Sequence, residues 1–501
     1  MCVHRNGTTP KTRRFVVTSG LGPNHNLGVY NNNVDTIERA FVERYFLCKE
    51  GDVFRPALHV STSKFRGRNL TDFKDIVLRH MPPLPVLSRQ QVVDAYNGSK
   101  RVVYERAMHS LYIDPLEVRD SYLTSFVKFE KQDVCKAPRV INPRSARYNL
   151  ELARYLKHAE HHYFRAINKA FGSHTAATVI KGFNADKSAQ ILREKWDRFD
   201  QPVAIGLDAS KFDMHVSVPA LKYEHEFYTR LYPGSRFLKQ LLRWQLCNQG
   251  VAYATDGTVK FKMQGTRCSG DINTSLGNCL LMCALVYSYS KRIGVDVELA
   301  NNGDDCVVFL ESRDEQRFTS ILSGWFRSRG FAMTVEPPAY EFEELEFCQT
   351  HPVQLSTGWR MVRNLSAVMT KDPMCLVPIP NVTVLRKWYG AVGMCGYKLC
   401  TGVPIMSSLY QVFLRHGGEF SEGFLREVFK NRSQLSLMQG LSSAVVDANS
   451  RVSFYYAFGI IPDHQLLLEQ YFEKLVLQLT LQPLIDREDL ELNPGFNIQH
   501  F

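Results

Sequence analysis

"NNGDDCVVFLE", residues 301–311, sets two adjacent carboxylates, Asp304 and Asp305, between a glycine and a run of strand-forming residues. Two neighbouring aspartates repel each other, and each loses hydration where the site is partly buried. The pair is therefore costly unless a cation or a set of donors compensates it. Gly-Asp-Asp is also an ordinary hairpin turn, because Asp and Gly are both turn formers. The rest of the chain has to decide between a solvated turn and a charged site.

Upstream, "PVAIGLDASKFD" (202–213) reads as a buried strand that ends at Asp208 and passes into a polar turn carrying Asp213. "VDVELANNGDDCVVFLES" (295–312) reads as strand, tight turn, strand. If these strands are neighbours, Asp208 and Asp304 meet at one end of a sheet. Two such carboxylates can hold a pair of magnesium ions roughly 4 Å apart, one activating an attacking hydroxyl and one neutralising a leaving phosphate. Magnesium suits the task because it prefers oxygen ligands and keeps positions open for phosphate.

Two other segments carry polar chemistry. "SFVKFEKQDVCKAPRVINPRS" (125–145) alternates apolar residues with Lys128, Lys131, Lys136 and Arg139. It reads as strands presenting cations on one face, suited to neutralising and orienting a triphosphate. A solvated β-ribbon is the alternative. "SGDINTSLGN" (269–278) is a glycine-rich loop entering an apolar helix. Its glycines let backbone approach a ligand closely. Ser269, Thr274 and Asn278 supply small hydrogen-bonding groups for one wall, with an N-capped core helix as the alternative.

The bulk composition agrees with a folded chain. The 501 residues allow two to four domains or one large multi-lobed unit. Apolar residues make up 45% and aromatics 12%, enough for a substantial core, so disorder is not the default. A net charge of +11 points to a polyanionic partner, most often nucleic acid. The 12 cysteines form no C-x-x-C pair and fit a reducing setting, with Cys279 and Cys283 read as buried thiols. His158 and His162 share one helical face, read as an exposed polar one. No signal peptide is visible, and the apolar run Cys279 to Tyr289 is too short to span a bilayer.

The first 120 or so residues read as loop-rich and basic, with Ser88 capping a helical stretch interrupted near Asn97-Gly98. Residues 146–170 read as helical, "LEFCQTHPVQL" (345–355) as a short hairpin, and the region beyond about residue 370 as mostly helical, clearest in "DHQLLLEQYFEKLVLQLTL" (463–481). The order predicts an α+β core, an antiparallel sheet with helices packed on one face.

Taken in order, the motifs resemble those of viral RNA-dependent RNA polymerases, and within them the plant tombusvirus, luteovirus and umbravirus group. "KFEKQDVCKAPRVINPRS" resembles motif F, "GLDASKFDMH" motif A, "SGDINTSLGN" motif B and "NNGDDCVVF" motif C. "GVYNNNVDTIERAFVERYF" and "DAYNGSKRVVYERA" also resemble the group's amino-terminal region. The resemblance covers most of residues 15–355 and thins beyond them.

It implies a closed right hand: fingers and fingertips over 1–200, with the motif F ribbon at 125–145; an antiparallel palm sheet flanked by helices over 201–355, with a fingers insertion at about 216–260; and a mainly helical thumb over 356–501. It implies Asp208 and Asp304 as principal metal ligands, Asp305 assisting, with Mg2+ as the ion and Mn2+ able to substitute. Asp213, with Ser269, Thr274 and Asn278, would read the ribose 2′-hydroxyl, which is both donor and acceptor. Lys128, Lys136 and Arg139 would grip the triphosphate. "LEFCQTHPV" resembles motif E, which supports the primer strand.

The motif D region departs from the pattern: where the family often has lysine, "GWFRSRGFAMTVE" offers only Arg327 and Arg329, and arginine is a poor acid. The implied partners are viral template RNA, nascent RNA, ribonucleoside triphosphates and a smaller membrane-bound viral replicase protein. The implied location is the host cytoplasm, at membrane-associated replication complexes. Two rival functions are a catalytically silent RNA-binding or assembly protein and a DNA-making reverse transcriptase.

Overall fold

In a computed structural model, which describes residues 1–18, 21, 27–50, 53–429 and 438–477, the Asp208 strand and the Gly-Asp-Asp hairpin are direct neighbours. Pro202–Ala209 pairs antiparallel with Asp305–Glu311, with Leu207 opposite Cys306. Asp305–Glu311 forms a hairpin with Glu298–Asn302. Met333–Val335 pairs on the other edge of the Asp208 strand, with Thr334 opposite Asp208. These four strands make one sheet, and every pairing in it is antiparallel.

Successive side chains of a strand point to opposite faces, and here both faces are covered. Val203, Ile205, Leu207, Val308 and Leu310 pack into a cluster with the Thr274–Ile293 helix, whose residues from Leu276 to Ser290 are all buried. Ala204, Val307 and Phe309 pack into another cluster, with Ile191, Leu192 and Trp196 of the Ala185–Trp196 helix. The expectation of helices on one face is thus corrected. The near-continuous apolar run Val203–Leu207 is the pattern of a strand buried on both sides.

A second sheet of five strands runs in the order Cys2–Arg5, Gly257–Gln264, Cys247–Ala254, Leu123–Val127, Val140–Ile141. The basic segment contributes less strand than its alternation predicts. Only 123–127, 132–133 and 140–141 are extended, and the rest is loop. Lys131 explains part of this, because its Nζ donates to the Lys371 carbonyl at 2.5 Å and draws the loop toward the C-terminal region.

The N-terminal region is more helical than expected, with helices at Val34–Phe41, Arg68–Arg79, Arg89–Asp94 and Gly98–Ile113. Ser88 caps the third of these through a capping box with Gln91, and the chain breaks at Ala95–Asn97 as predicted. The helical stretch 146–170 is two helices, Ala146–Leu156 and Glu160–Ala170. The break half-buries His158, whose Nε2 lies 3.3 Å from the Tyr232 hydroxyl, so His158 does not belong to an exposed polar face.

The hairpin near 345–355 is also displaced: Thr350–Leu355 pairs with Gly358–Arg363, preceded by a tight bridge between Phe347 and Thr350. Beyond residue 370 the described chain is helical, and its helices share a core with Val16 and Leu21. Val16–Val17 pairs there with Met374–Cys375. The predicted helix 463–481 is seen as Pro462–Lys474; its last residues and 478–501 of the expected thumb lie outside the described residues. Among the described residues no helix is long and apolar enough to cross a membrane. All 12 cysteines are free, and Cys279 and Cys283 are buried.

Candidate active site

The end of the four-stranded sheet gathers the carboxylates. Asp208 is the penultimate residue of its strand and is exposed. Asp305 opens the neighbouring strand, one step beyond the Leu207–Cys306 pair. Asp304 sits in the turn between them and the outer strand. Gly303 makes that turn with φ +84°, a conformation L side chains rarely adopt. The fully buried Asn301 fixes it, donating from Nδ2 to the Gly303 carbonyl at 2.8 Å.

The charges at this end are unbalanced. Loss of hydration, then the charges of Asp213 and Asp305, push the Asp304 carboxyl up to about 6. Asp305 is also raised, first by loss of hydration and then by Asp208 and Glu346, against a lowering contribution from the Cys348 thiol. An all-oxygen donor set with excess negative charge fits a hard divalent cation. Among the described residues no three His, Cys, Asp or Glu side chains already stand in ligating geometry. The fit therefore lies in the chemistry of the donors, and side chains must turn to close on an ion.

Asp213 follows Asp208 through a turn in which Lys211, a non-glycine residue, takes the left-handed conformation with φ +49°. The Ser269 hydroxyl donates to Asp213 Oδ2 at 2.8 Å, and Asn278 Nδ2 donates to Oδ1 at 3.2 Å. Three of the four predicted sugar-reading residues therefore converge. Thr274 does not touch Asp213; its hydroxyl donates to the Cys268 carbonyl at 2.9 Å, which ties down the loop carrying Ser269.

Beneath this cluster lies a pair that the sequence reading missed. Arg267, 1% exposed, is ion-paired with the fully buried Glu224, and its Nε donates to Asn278 Oδ1 at 3.0 Å. Burial favours the neutral form of Glu224, but the Arg267 charge more than offsets this and holds the carboxyl below its usual range. The pair also explains a glycine. A Cβ at Gly277 would collide with the Arg267 guanidinium and the Glu224 carboxylate. Gly270, at φ +128°, packs against the Pro143 backbone. Both glycines allow close approach to protein groups, not to a ligand. The one local hint of the pair was an acidic residue on the inner face of the mostly apolar Val218–Leu231 helix.

The predicted cations separate into two groups. Lys128 Nζ lies 2.5 Å from Glu130, and Arg139 lies 3.4 Å from the same carboxylate. The Lys128 amide donates to the Arg139 carbonyl at 2.8 Å, which brings the two ends of the loop together. The charge of Arg139 also reaches Asp304 and favours its ionised form. Lys136 is exposed, and its carbonyl accepts from the Tyr30 hydroxyl at 2.8 Å. In the motif D region, Arg329 is occupied structurally. It donates to the Lys64 and Arg66 carbonyls, both at 2.9 Å, and stacks over Trp325.

Comparison with known proteins gives the family of the chain. The family described as viral RNA dependent RNA polymerase matches residues 1–480. The RNA-directed RNA polymerase of Tobacco necrosis virus (strain A) is 41% identical over 486 residues, 94% of this chain and 65% of its own length. That of Cucumber necrosis virus is 40% identical over 490 residues, 96% of this chain and 58% of its own. That of Cymbidium ringspot virus is 42% identical over 474 residues, 94% of this chain and 57% of its own. The chain thus spans 57–65% of the length of these curated relatives. With the ordered motifs and a match running from the first strand past the last described helix, the chain belongs to the viral RNA-dependent RNA polymerase family, whose right-hand fold accommodates this mixture of helix and sheet.

Proposed function

We propose that this chain is a template-directed RNA polymerase that replicates a positive-strand viral RNA genome from ribonucleoside triphosphates. The observation that carries this reading is a single convergence: the Asp208 strand end, the Asp304-Asp305 turn and the Asp213–Ser269–Asn278 cluster share one end of an antiparallel sheet. In this reading residues 1–200 are fingers and fingertips, 201–355 palm and 356–501 thumb. Template and nascent RNA, the nucleotides and a smaller membrane-bound replicase protein are the partners, at membrane-associated complexes in the host cytoplasm.

Asp208 and Asp304, with Asp305 assisting, would hold two Mg2+ ions, which Mn2+ can replace. When bound, such ions activate the attacking hydroxyl and neutralise the leaving pyrophosphate. The chain's own side chains position the nucleotide. Asp213 accepts from the 2′-hydroxyl of the incoming sugar. Asn278, its carbonyl held by Arg267, keeps its amide aimed at Asp213, and Ser269 steadies the other carboxylate oxygen. Lys128, Lys136 and Arg139 face the triphosphate, and Glu130 keeps Lys128 and Arg139 oriented until phosphate oxygens take its place.

The test supplies purified protein with an RNA template, four ribonucleotides and Mg2+, with and without the partner replicase protein. RNA complementary to the template is the expected product; its absence in both arms overturns the reading. Asp213→Ala is expected to cut the preference for ribo- over deoxyribonucleotides by tenfold or more, read from the ratio of the two kcat/KM values. An unchanged ratio removes Asp213 from sugar reading. Arg139→Ala is expected to raise KM for nucleotides by about tenfold, the loss of one charge-assisted contact, with a smaller change in kcat. An unchanged KM places Arg139 outside the nucleotide path.

A further inference from the structure

The five-stranded sheet has one covered face and one open face. Val259, Phe261 and Met263 point inward and share a core with Ile37 and Phe41 of the Val34–Phe41 helix. Cys268, the residue before Ser269, lies in that same core, so the covered face is the one turned toward the sugar-reading loop. Side chains alternate along a strand. Thr124, Phe126, Val251, Tyr253, Lys260 and Lys262 therefore stand on the opposite face, directed away from that loop. Val251 links the set: it lies across from Lys260 on one side and from Thr124 on the other.

The open face carries cations, two bare rings and no acid. Lys260 and Lys262 are exposed and about 7 Å apart along one strand. None of the five strands contains Asp or Glu. The acids around the sheet face the other way. Asp256, in the turn between the two long strands, accepts from the Val34 amide at 3.1 Å, and Asp35 and Glu38 are taken by Arg5 at 2.7 and 2.8 Å. The Tyr253 ring is 58% exposed and the Phe126 ring 42%. Their strands part at this level. The ladder ends at Ala252–Ser125, and Asn32 enters beyond it, donating to the Tyr253 carbonyl at 2.9 Å and accepting from the Val127 amide at 2.8 Å.

Uncompensated lysines beside solvent-facing rings suit one ligand chemistry. The lysines attract a polyanion. The rings offer stacking surfaces that every base can use. A duplex hides the faces of its bases and a single strand presents them. An anionic membrane would use the lysines, but a face with threonine and lysine between its rings has little apolar area to bury in lipid. We propose that this face is a second RNA site, a platform for single-stranded RNA apart from the carboxylates. Tyr253 and Phe126 stack on bases, and Lys260 and Lys262 take neighbouring phosphates. The inference goes beyond the polymerase reading and is tested by binding instead of synthesis.

The full chain is first loaded with an unlabelled self-priming RNA hairpin, which occupies the catalytic cleft, and then titrated with fluorescent oligouridylate across a salt series. Oligouridylate should still bind. Lys260→Gln with Lys262→Gln should raise its Kd about tenfold and flatten the slope of log affinity against log salt by about 1.4, two phosphates at about 0.7 each. Tyr253→Leu should also raise Kd about tenfold but leave the slope unchanged, because stacking releases no counterions. Ultraviolet crosslinking should place uridine adducts on Tyr253 or Phe126. Nucleotide addition to the preloaded hairpin should match the wild type in all these variants. Loss of oligouridylate binding once the hairpin is bound overturns the inference, as do variants with wild-type Kd and slope. Phosphatidylserine vesicles that need the two lysines, while oligouridylate does not, overturn it in favour of a membrane. A chain that makes no RNA yet binds oligouridylate through these residues overturns the polymerase reading and upholds the platform.

Discussion

Asp304→Ala is expected to lower RNA synthesis by at least about a thousandfold, the equivalent of about 4 kcal/mol in the barrier, while RNA binding stays near wild type. The side chain stands in a turn whose geometry is set by Gly303 and the buried Asn301. Removing it leaves the strand pairing Cys306–Leu207 and the apolar faces of the sheet untouched. The variant should therefore fold. It lacks a carboxylate that no neighbour replaces in kind: Asp305 points from the next residue, and Asp213 is occupied by Ser269 and Asn278. Primer extension with the purified variant, alongside filter binding across a salt series, separates the two effects. Synthesis that survives the change would remove the metal assignment. A silent RNA-binding protein predicts that survival.

Glu224→Gln should have the largest effect on stability. It leaves the Arg267 guanidinium buried with its countercharge gone, and breaking such a pair from one side costs about 3–5 kcal/mol. The midpoint of thermal unfolding should fall by several degrees, and discrimination between sugars should weaken at lower temperature, because Arg267 also holds the Asn278 carbonyl. Removing both charges together, as Glu224→Gln with Arg267→Met, should recover part of the stability but not the discrimination. A single variant as stable as the wild type would show that the pair does not carry the floor of the site.

The carboxylate site was legible because its signals are local. An apolar run ending in Asp208, a glycine before Asp304 and β-branched residues after Asp305 each specify their own strand or turn. Pairing then needs only that the two strands be neighbours. What the sequence hid depends on distant partners. Glu224 and Arg267 show no periodic pattern, since a buried ion pair is defined by its mate and not by its spacing. Gly277 reads as freedom to approach a ligand, and the same freedom here admits a guanidinium. The cations of 125–145 look alike along the chain, yet Glu130 holds two of them and the Lys371 carbonyl takes Lys131. The second helical cover of the sheet was missed because Ala185–Trp196 carries charges on its outer side that dilute its apolar one.

The short pairing of Val16–Val17 with Met374–Cys375 has a mechanical outcome. Together with the Lys131 tether it staples the amino-terminal segment and the basic loop to the start of the C-terminal helices. Swinging those helices away from the loop must first rupture the staple.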